Sequence, residues 1–420
     1  MAASLRSTWA LLLGIALIML GSGLQSTLLG VRAGLEDFPT AMTGLIMSAY
    51  FAGFLAGSVA APRLLQQVGH VRVFAALASL ASTAVLVHAV VVEPWTWIAM
   101  RLMTGLCSAG LYVVAESWLN DRATNETRGQ LLATYMVIVL GGVGGGQFLL
   151  NLADPSGFEL FVGASILISL ALIPILLTAT PAPDFTSPAT IGLRQLYRVS
   201  PLGVIGCFGI GIAQSGLWGM SAVYAESIGF SIAEITFYGG ALFLGAIVFQ
   251  FPLGRLSDRF DRRQVITGVA FVAFAASITA VFIGEFSIWH SLAVIFVIGG
   301  MCMPAYSLCV AHTNDFLQPA QMVAASASLY FVYGVGASFG PFATAGVMSL
   351  YGPPGFYLSL AAACGAVFLF ALYRMTRRAA VPLEEQNPSV IVPAQASPVF
   401  TELAAEMLHE EAEEATDGTS

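Results

Sequence analysis

The chain has 420 residues, of which 57% are hydrophobic and only 10% are charged. Soluble globular proteins average about 25% charged residues, so this composition excludes an ordinary water-soluble globule and indicates a polytopic membrane protein. The net charge of −8 belongs to the C-terminal tail, because nine acidic residues and no arginine follow residue 378. The chain up to residue 378 carries 16 basic and 15 acidic residues. This near-neutral balance excludes a basic nucleic-acid-binding surface.

Apolar runs of roughly 20 residues, long enough to cross a bilayer as a helix, recur along the chain. The first run is too long for a signal peptide and lacks a clear small-residue cleavage site. We therefore interpret it as span 1. Cutting at charged and Pro/Gly-rich breaks predicts twelve spans, at 9–30, 41–61, 73–92, 96–118, 130–151, 158–178, 202–223, 232–253, 264–284, 289–311, 322–349 and 356–374.

The two halves of the chain resemble each other at an offset of about 190 residues. The matching segments are 25–30 with 214–219, 51–53 with 243–245, and 69–70 with 261–262. This repeat predicts a duplicated six-helix unit, and transporters with two parallel halves bind substrate between them near the midplane. We therefore predict an N-terminal lobe at 1–178, a cytoplasmic linker at 179–200, a C-terminal lobe at 201–376 and a cytoplasmic tail at 377–420.

Basic residues in the short loops predict the orientation, because they remain on the cytoplasmic side. With both termini inside, only Arg32 and Arg101 fall on the outer side. The inner side receives fourteen arginines: Arg6, Arg63, Arg72, Arg122, Arg128, Arg194, Arg198, Arg255, Arg259, Arg262, Arg263, Arg374, Arg377 and Arg378. The distribution predicts a multi-pass protein of the cytoplasmic (inner) membrane with both termini in the cytoplasm.

A charged stretch, GRLSDRFDRR at 254–263, interrupts the apolar sequence between spans 8 and 9. It resembles the signature loop of the major facilitator superfamily, with Asp261 in place of the second glycine of that pattern. The loop between spans 2 and 3, APRLLQQVGHVRV, is a degraded copy in which Gln66 replaces the aspartate. With RLMTGLCSAGLYVVAESWLNDRATNETRGQ at 101–130, that loop is similar to the YcaD-like branch of bacterial major facilitators. The resemblance implies an all-α membrane protein of twelve transmembrane helices in two pseudo-symmetric halves, working by alternating access.

Charged residues at the predicted cytoplasmic ends of the spans are candidates for a gate. Asp258 can pair with arginine and with the N-terminal end of the next helix, and such a pair can break when the conformation changes. Glu116 can pair with Arg63, Arg72 or Arg128, or carry a proton. The remaining gating candidates are Arg259 and Arg262. A purely topological role for these charges is the alternative.

Polar and aromatic residues within the spans are candidates for substrate contact. Arg101 suits an anionic or polar substrate or proton coupling, with snorkelling to the outer interface as the alternative. Ser108, Tyr112 and Glu116 continue its helical face. For the amides, hydrogen bonding between helices is an equal alternative. The full set is Gln25, Arg32, Arg101, Tyr112, Gln147, Asn151, Gln214, Trp218, Tyr306 and Tyr333.

No catalytic or cofactor motif stands out. The five cysteines lie in apolar runs without metal-ligand spacing, and the chain shows no nucleophile–base set and no phosphate loop. We therefore expect neither an enzyme nor an ATP-driven pump, and no metal or cofactor. The leading hypothesis is a monomeric secondary transporter for a small organic solute, with protons as the candidate coupling ion and membrane lipid as its surroundings.

The alternative hypothesis is a transporter-like membrane sensor or interaction protein that binds a solute without moving it. Its output would be the acidic tail, which we predict to be mostly disordered. Ser397 and Pro398 can cap a short helix there, whose apolar face would dock a protein partner. A tail that serves only to solubilise the chain is the other interpretation.

Overall fold

The computed structural model describes residues 2–122, 128–176, 191–282, 287–378, 381–382 and 386, without the side chains of 2–8, 122, 128, 129, 319 and 320. Within these ranges, twelve helices are long and apolar enough to cross a membrane, which confirms the predicted all-α architecture. They are α1 (Ala2–Leu35), α2 (Thr40–Val68), α3 (His70–Val90), α4 (Pro94–Arg122), α5 (Arg128–Phe148), α6 (Glu159–Leu170, continued by Leu172–Leu176), α7 (Pro201–Ser227), α8 (Ile232–Arg259), α9 (Arg262–Phe282), α10 (Ile288–Asn314), α11 (Pro319–Tyr351) and α12 (Gly355–Met375).

Two short segments complete the described secondary structure. A 3-10 turn, Leu149–Leu152, follows α5, and a helix of seven residues, Leu193–Val199, precedes α7. Most of the predicted linker and nearly all of the tail, including the proposed docking helix, lie outside the described residues.

The ends of several helices have clear sequence causes. In α8, Ser231 and Glu234 form a reciprocal capping box, which satisfies backbone donors that the first turn leaves unpaired. In α7, the Ser200 hydroxyl accepts from the Gly203 amide, and Pro201 occupies the first turn, where its missing N–H costs nothing. Gly69, with φ +85°, ends α2 and lets α3 begin at once.

The two halves pack their helices in the same way. In the first half α2 lies against α4 and α3 against α6, and in the second α8 lies against α10 and α9 against α12. A Cβ added at Gly53 would lie 2.0 Å from the carbonyl oxygen of Leu102, and one at Gly245 would lie 2.0 Å from that of Phe296. Equivalent glycines thus allow equivalent close contacts, which confirms the pseudo-symmetric halves predicted from the repeat.

Within the described residues, the halves meet mainly through α1 with α7, α2 with α11 and α5 with α8, and α2 also contacts α7. Gly44 of α2 faces Ala345 and the carbonyl of Pro341, and Gly30 of α1 faces Ala222. The Ser48 hydroxyl accepts from the Phe342 amide at 3.0 Å. These contacts lie on the side of the molecule at which α1 terminates and α2 begins. We name this side the closed end.

Candidate functional site

An aromatic cluster joins the two halves near the middle of the molecule. Trp218 lies 6.1 Å from Tyr50 and 6.1 Å from Phe243, measured between ring centroids. Phe54 lies 5.8 Å from Tyr112 and 6.4 Å from Tyr330. The whole cluster consists of Tyr50, Phe51, Phe54, Tyr112, Trp218, Phe243 and Tyr330. These rings come from α2, α4, α7, α8 and α11, so movement of one half against the other changes their spacing.

Arg101 lies against this aromatic cluster and is 3% exposed. Its guanidinium carbon is 4.5 Å from the centroid of the Tyr50 ring, and Nη2 is 4.0 Å from the Met47 sulfur. Cation–π contact stabilises a desolvated guanidinium. No carboxylate forms an ion pair with Arg101 among the described residues. The positive charge is therefore available to an anionic group placed beside Tyr50.

Several polar atoms in the interior have no hydrogen-bond partner among the residues that the structure describes. Four of them belong to predicted substrate-binding residues: Gln25 Nε2, Arg101 Nε, Trp218 Nε1 and Tyr306 Oη. An unsatisfied buried polar group costs about 1–3 kcal/mol. Three of the four can only donate a hydrogen bond, so these four groups offer more donors than acceptors. A ligand that carries acceptor oxygens would satisfy them.

Gln214 and Tyr333 are already paired with each other. Gln214 donates to the carbonyls of Cys302, at 2.6 Å, and Met303, at 3.0 Å, and Tyr333 donates its hydroxyl to Gln214 Oε1 at 2.9 Å. These bonds join α7, α10 and α11, which favours the interhelical alternative for Gln214 and a structural role for Tyr333. The Tyr306 ring lies 5.1 Å from that of Tyr333, with its hydroxyl free of partners in the described part of the chain.

Glu116 is 1% exposed and accepts a hydrogen bond of 2.6 Å from the Tyr135 hydroxyl. Tyr112, which shares its helical face, donates to the Met19 sulfur at 2.9 Å. Arg63 and Arg72, the predicted partners of Glu116, are exposed and make no ion pair within the described residues. The side chain of Arg128, the third predicted partner, lies outside the described residues.

Arg32 has partners that the sequence did not indicate. It forms an ion pair of 2.6 Å with Glu36 and donates to the carbonyl of Pro155 at 3.0 Å and to those of Ser156 and Gly157. It therefore ties the end of α1 to the loop before α6. These bonds occupy the guanidinium at the closed end of the molecule and favour a structural role for Arg32 over substrate contact.

Gln147 and Asn151 also lie at the closed end. The predicted span 130–151 placed them one turn apart on a single helix, but α5 ends at Phe148 and Asn151 lies in the 3-10 turn, so they do not share an α-helical face. Asn151 donates to the Thr236 hydroxyl at 3.0 Å, and the Gln147 amide occupies the space beside Gly239. Both residues thus bridge the two halves.

The charged stretch between α8 and α9 is organised around Arg262, which is 1% exposed. Its guanidinium lies 3.2 Å from Asp258 Oδ1 and 2.5 Å from Asp315 Oδ1, and it donates to the Ala311 carbonyl at 2.9 Å. The predicted pairing of Asp258 with an arginine is therefore present, but α10 supplies the more buried carboxylate. Arg259, the neighbouring candidate, is exposed and unpaired in the described part of the chain.

The first half contains a histidine at the place of Arg262. His70 lies 192 positions before Arg262, and its ring nitrogen is 2.9 Å from the Ser117 hydroxyl. Asp121, which interacts electrostatically with His70, lies 194 positions before Asp315. The two halves thus place a basic side chain at the start of one helix against an aspartate at the end of another.

Sequence reasoning missed two groups of residues, and a sequence signal was present for only one of them. Tyr50 and Phe54 flank the 51–53 segment used to detect the repeat, yet an aromatic residue in an apolar span gives no further indication. Asp315 ends the sequence Asn314-Asp315, which repeats the Asn120-Asp121 pair at an offset of 194. Extending the repeat to α4 and α10 would have found it.

Comparison with known proteins shows what this chain resembles. The family model described as Major Facilitator Superfamily matches residues 11–239 and 203–406. An "Uncharacterized MFS-type transporter YcaD" of Escherichia fergusonii is 28% identical over 382 residues, covering 90% of this chain and 98% of the relative. A protein of the same name from Salmonella arizonae is 29% identical over 367 residues, covering 87% and 94%.

Solved structures show the same fold at low sequence identity. A bacterial homologue of the human lysosomal transporter Spinster, in an inward-facing and occupied conformation, has a TM-score of 0.68 at 16% identity, and the match covers 96% of each chain. A mutant of the nucleoside transporter NupG has a TM-score of 0.73 at 13% identity, covering 87% of this chain and 98% of that one.

Proposed function

The chain belongs to the major facilitator superfamily and is a multi-pass membrane transporter, and from that premise we propose that it is a secondary transporter for a small organic anion. Transport would proceed by alternating access between the two halves. The single observation that carries the choice of solute is Arg101, a buried guanidinium that has no carboxylate partner among the described residues.

The solute class follows from the chemistry around Arg101. An isolated buried charge is costly in a low-dielectric interior, so a bound carboxylate or similar anion would stabilise the site. The unpaired donors of Gln25 and Trp218 suit further oxygen acceptors. The rings of the aromatic cluster suit an apolar or aromatic body. These features support an organic anion over a cationic solute.

The state described here would be closed to the outside. The arginine distribution predicts that the closed end faces outward, and there the contacts of Gly30, Gly44 and Asn151 hold the halves together. Separation of these contacts would open the aromatic cluster to that side. Since the cluster spans both halves, a solute bound within it would be exposed alternately to the two sides.

Protons are the candidate coupling ion. Glu116 is a buried carboxylate on the same helix as Arg101, and the Tyr135 hydroxyl donates to it at 2.6 Å. Protonation of Glu116 would remove a negative charge from the region between the halves. Because Arg101 lies about 22 Å along α4 from Glu116, protonation and anion binding would be coupled through the movement of the two halves that both events bias.

A ligand-stabilisation screen followed by flux measurement tests the proposal. Purified protein is tested against organic anions and their neutral and cationic analogues for a rise in melting temperature, since a ligand that binds only the folded state stabilises it. We expect aromatic or aliphatic carboxylates to raise the melting temperature. Arg101→Gln should abolish this rise, and the exposed Arg259→Gln should preserve it.

Active compounds are then measured for flux into proteoliposomes with and without a pH gradient. Flux that depends on Arg101 would support transport, and its response to the gradient would report proton coupling. A compound that binds without crossing under any gradient would favour the alternative, a transporter-like membrane sensor or interaction protein. Stabilisation by cations, unchanged in Arg101→Gln, would contradict the proposed solute class.

A further inference from the structure

A second positively charged site lies away from the aromatic cluster, where α7 and α9 begin and α10 and α12 end. It is a cleft open to solvent, which we name the basic cleft. Its polar and aromatic lining consists of Ser200, Arg263, His312, Phe316, Arg374 and Arg378. The arginine distribution predicts that this end of the spans faces the cytoplasm, where a cleft at the helix ends would lie close to lipid headgroups.

The basic cleft contains more positive than negative charge. Arg263 is paired with Asp261, with Nη2 2.6 Å from Oδ2. Arg378 donates to the Val199 carbonyl at 2.8 Å and stacks over Phe316 at 3.9 Å, without a carboxylate partner in the described residues. Arg374 likewise has no ion pair there. Among the described residues of the cleft, three guanidinium groups thus accompany one carboxylate, which leaves two positive charges.

The ionisation of Arg378 reflects this imbalance. Burial lowers its pKa, and the like charges of Arg374 and Arg263 lower it further. Asp261 shows the opposite balance, because burial raises its pKa but the hydrogen bonds from Arg263 outweigh burial and keep the pKa below its usual range. An anion between Arg374 and Arg378 would relieve the repulsion that Asp261 leaves.

His312 supplies a second, independent indication of a ligand. It is 5% exposed, lines the basic cleft, and contacts Phe316 with ring centroids 5.1 Å apart. Its ring nitrogens make no hydrogen bond within the described residues. A polar ring that is almost completely buried and opens onto a cleft of arginines is suited to donate a hydrogen bond to an acceptor placed there.

We propose that the basic cleft binds a phosphate group, supplied either by the headgroup of an anionic lipid or by a soluble phosphate. Guanidinium groups bind phosphate oxygens through paired charge-assisted hydrogen bonds. The N-terminus of α7, a helix of 27 residues, adds the partial positive charge of its dipole. Phe316 and Leu202 give the cleft an apolar wall that suits the glycerol and first acyl carbons of a lipid.

Binding experiments on the full-length protein test this site and distinguish its two sources of phosphate. Protein in nanodiscs of phosphatidylcholine is compared with protein in discs that contain phosphatidylglycerol, and retained lipid is counted by native mass spectrometry. In parallel, inorganic phosphate is titrated in phosphatidylcholine discs and the melting temperature is followed. The variants are Arg374→Gln and, as the matched control, Arg377→Gln, which lies over Tyr373 outside the cleft.

We expect phosphatidylglycerol to be retained and to raise the melting temperature, and Arg374→Gln to weaken its binding about tenfold, as loss of one charge-assisted bond predicts. Arg377→Gln should bind as the unmodified chain does. Saturable stabilisation by inorganic phosphate that depends on Arg374 would support the soluble source. Equal losses of binding in both variants would overturn the proposal, because they would indicate only diffuse attraction between basic residues and anions. The proposal would also fail if phosphatidylglycerol were retained no better than phosphatidylcholine and inorganic phosphate gave no stabilisation.

Discussion

Arg101 and Glu116 lie on one face of the same helix, yet their surroundings differ. The sequence placed them 15 residues apart, about 22 Å along a helix, and so excluded a pair between them. The structure adds that Tyr50 stacks with Arg101 and that Tyr135 donates to Glu116. The helical period predicts which face of α4 each side chain occupies. The neighbours of the two side chains, Tyr50 of α2 and Tyr135 of α5, depend on packing between helices.

Two tyrosines of the second half allow a matched test at the scale of single residues. Tyr333→Phe removes the donor to buried Gln214 Oε1, so we expect a loss of about 1–3 kcal/mol in stability. Tyr306→Phe removes a buried hydroxyl without a partner in the described residues, so it should leave stability unchanged or raise it by up to about 1–3 kcal/mol. Unfolding of the two purified variants checks this, and equal losses would contradict it.

At the scale of helices, Arg262 joins α9 to the end of α10 through Asp315, and both side chains are 2% exposed. Arg262→Met leaves that buried carboxylate without its cation, which typically costs about 3–5 kcal/mol. Arg259→Met, in the same stretch, changes an exposed side chain and should cost less than about 0.5 kcal/mol. Thermal unfolding of both variants tests the difference, which should disappear in an Asp315→Asn background.

The glycines between paired helices give a prediction that applies to both halves. Gly53→Ala and Gly245→Ala each place a Cβ 2.0 Å from a carbonyl oxygen of the facing helix, so each should destabilise the protein by at least about 1–3 kcal/mol. Gly163 of α6 has nothing within 4 Å of an added Cβ, and its replacement by alanine should be neutral or stabilising. Melting temperatures of the three variants check this, and tolerance of alanine at 53 or 245 would contradict the packing.

At the scale of the whole molecule, the contacts between the halves determine which side of the site is closed. Asn151 and Thr236 bridge α5 and α8 across the closed end. A double variant, Asn151→Cys with Thr236→Cys, should crosslink on oxidation and prevent the halves from separating there. We expect solute flux to fall at least tenfold on oxidation and to recover on reduction, while either single variant remains active.

The sidedness of this end is tested with the same cysteines. A membrane-impermeant maleimide should label Asn151→Cys in intact cells if the closed end faces outward, as the arginine distribution predicts. Labelling only after the cells are opened would reverse the orientation. Crosslinking without any loss of flux would instead show that the two halves need not separate at this end.

The sequence by itself determined the number of spans, the helical class and the duplication of a six-helix unit. The physical reason is that a bilayer requires about 20 apolar residues per crossing and allows a helix to satisfy all of its own backbone hydrogen bonds. Both requirements concern short stretches of consecutive residues, so the sequence is sufficient to predict where they are met.

Only the tertiary structure decided which buried polar groups are paired. Gln214 meets Tyr333 across 119 positions, and Arg262 meets Asp315 across 53, whereas Gln25 Nε2 meets no partner in the described part of the chain. Sequence periodicity predicts which face of a helix a residue occupies, but not whether a neighbouring helix offers an acceptor there. Substrate candidates and structural links therefore looked alike in the sequence, and packing between helices separated them.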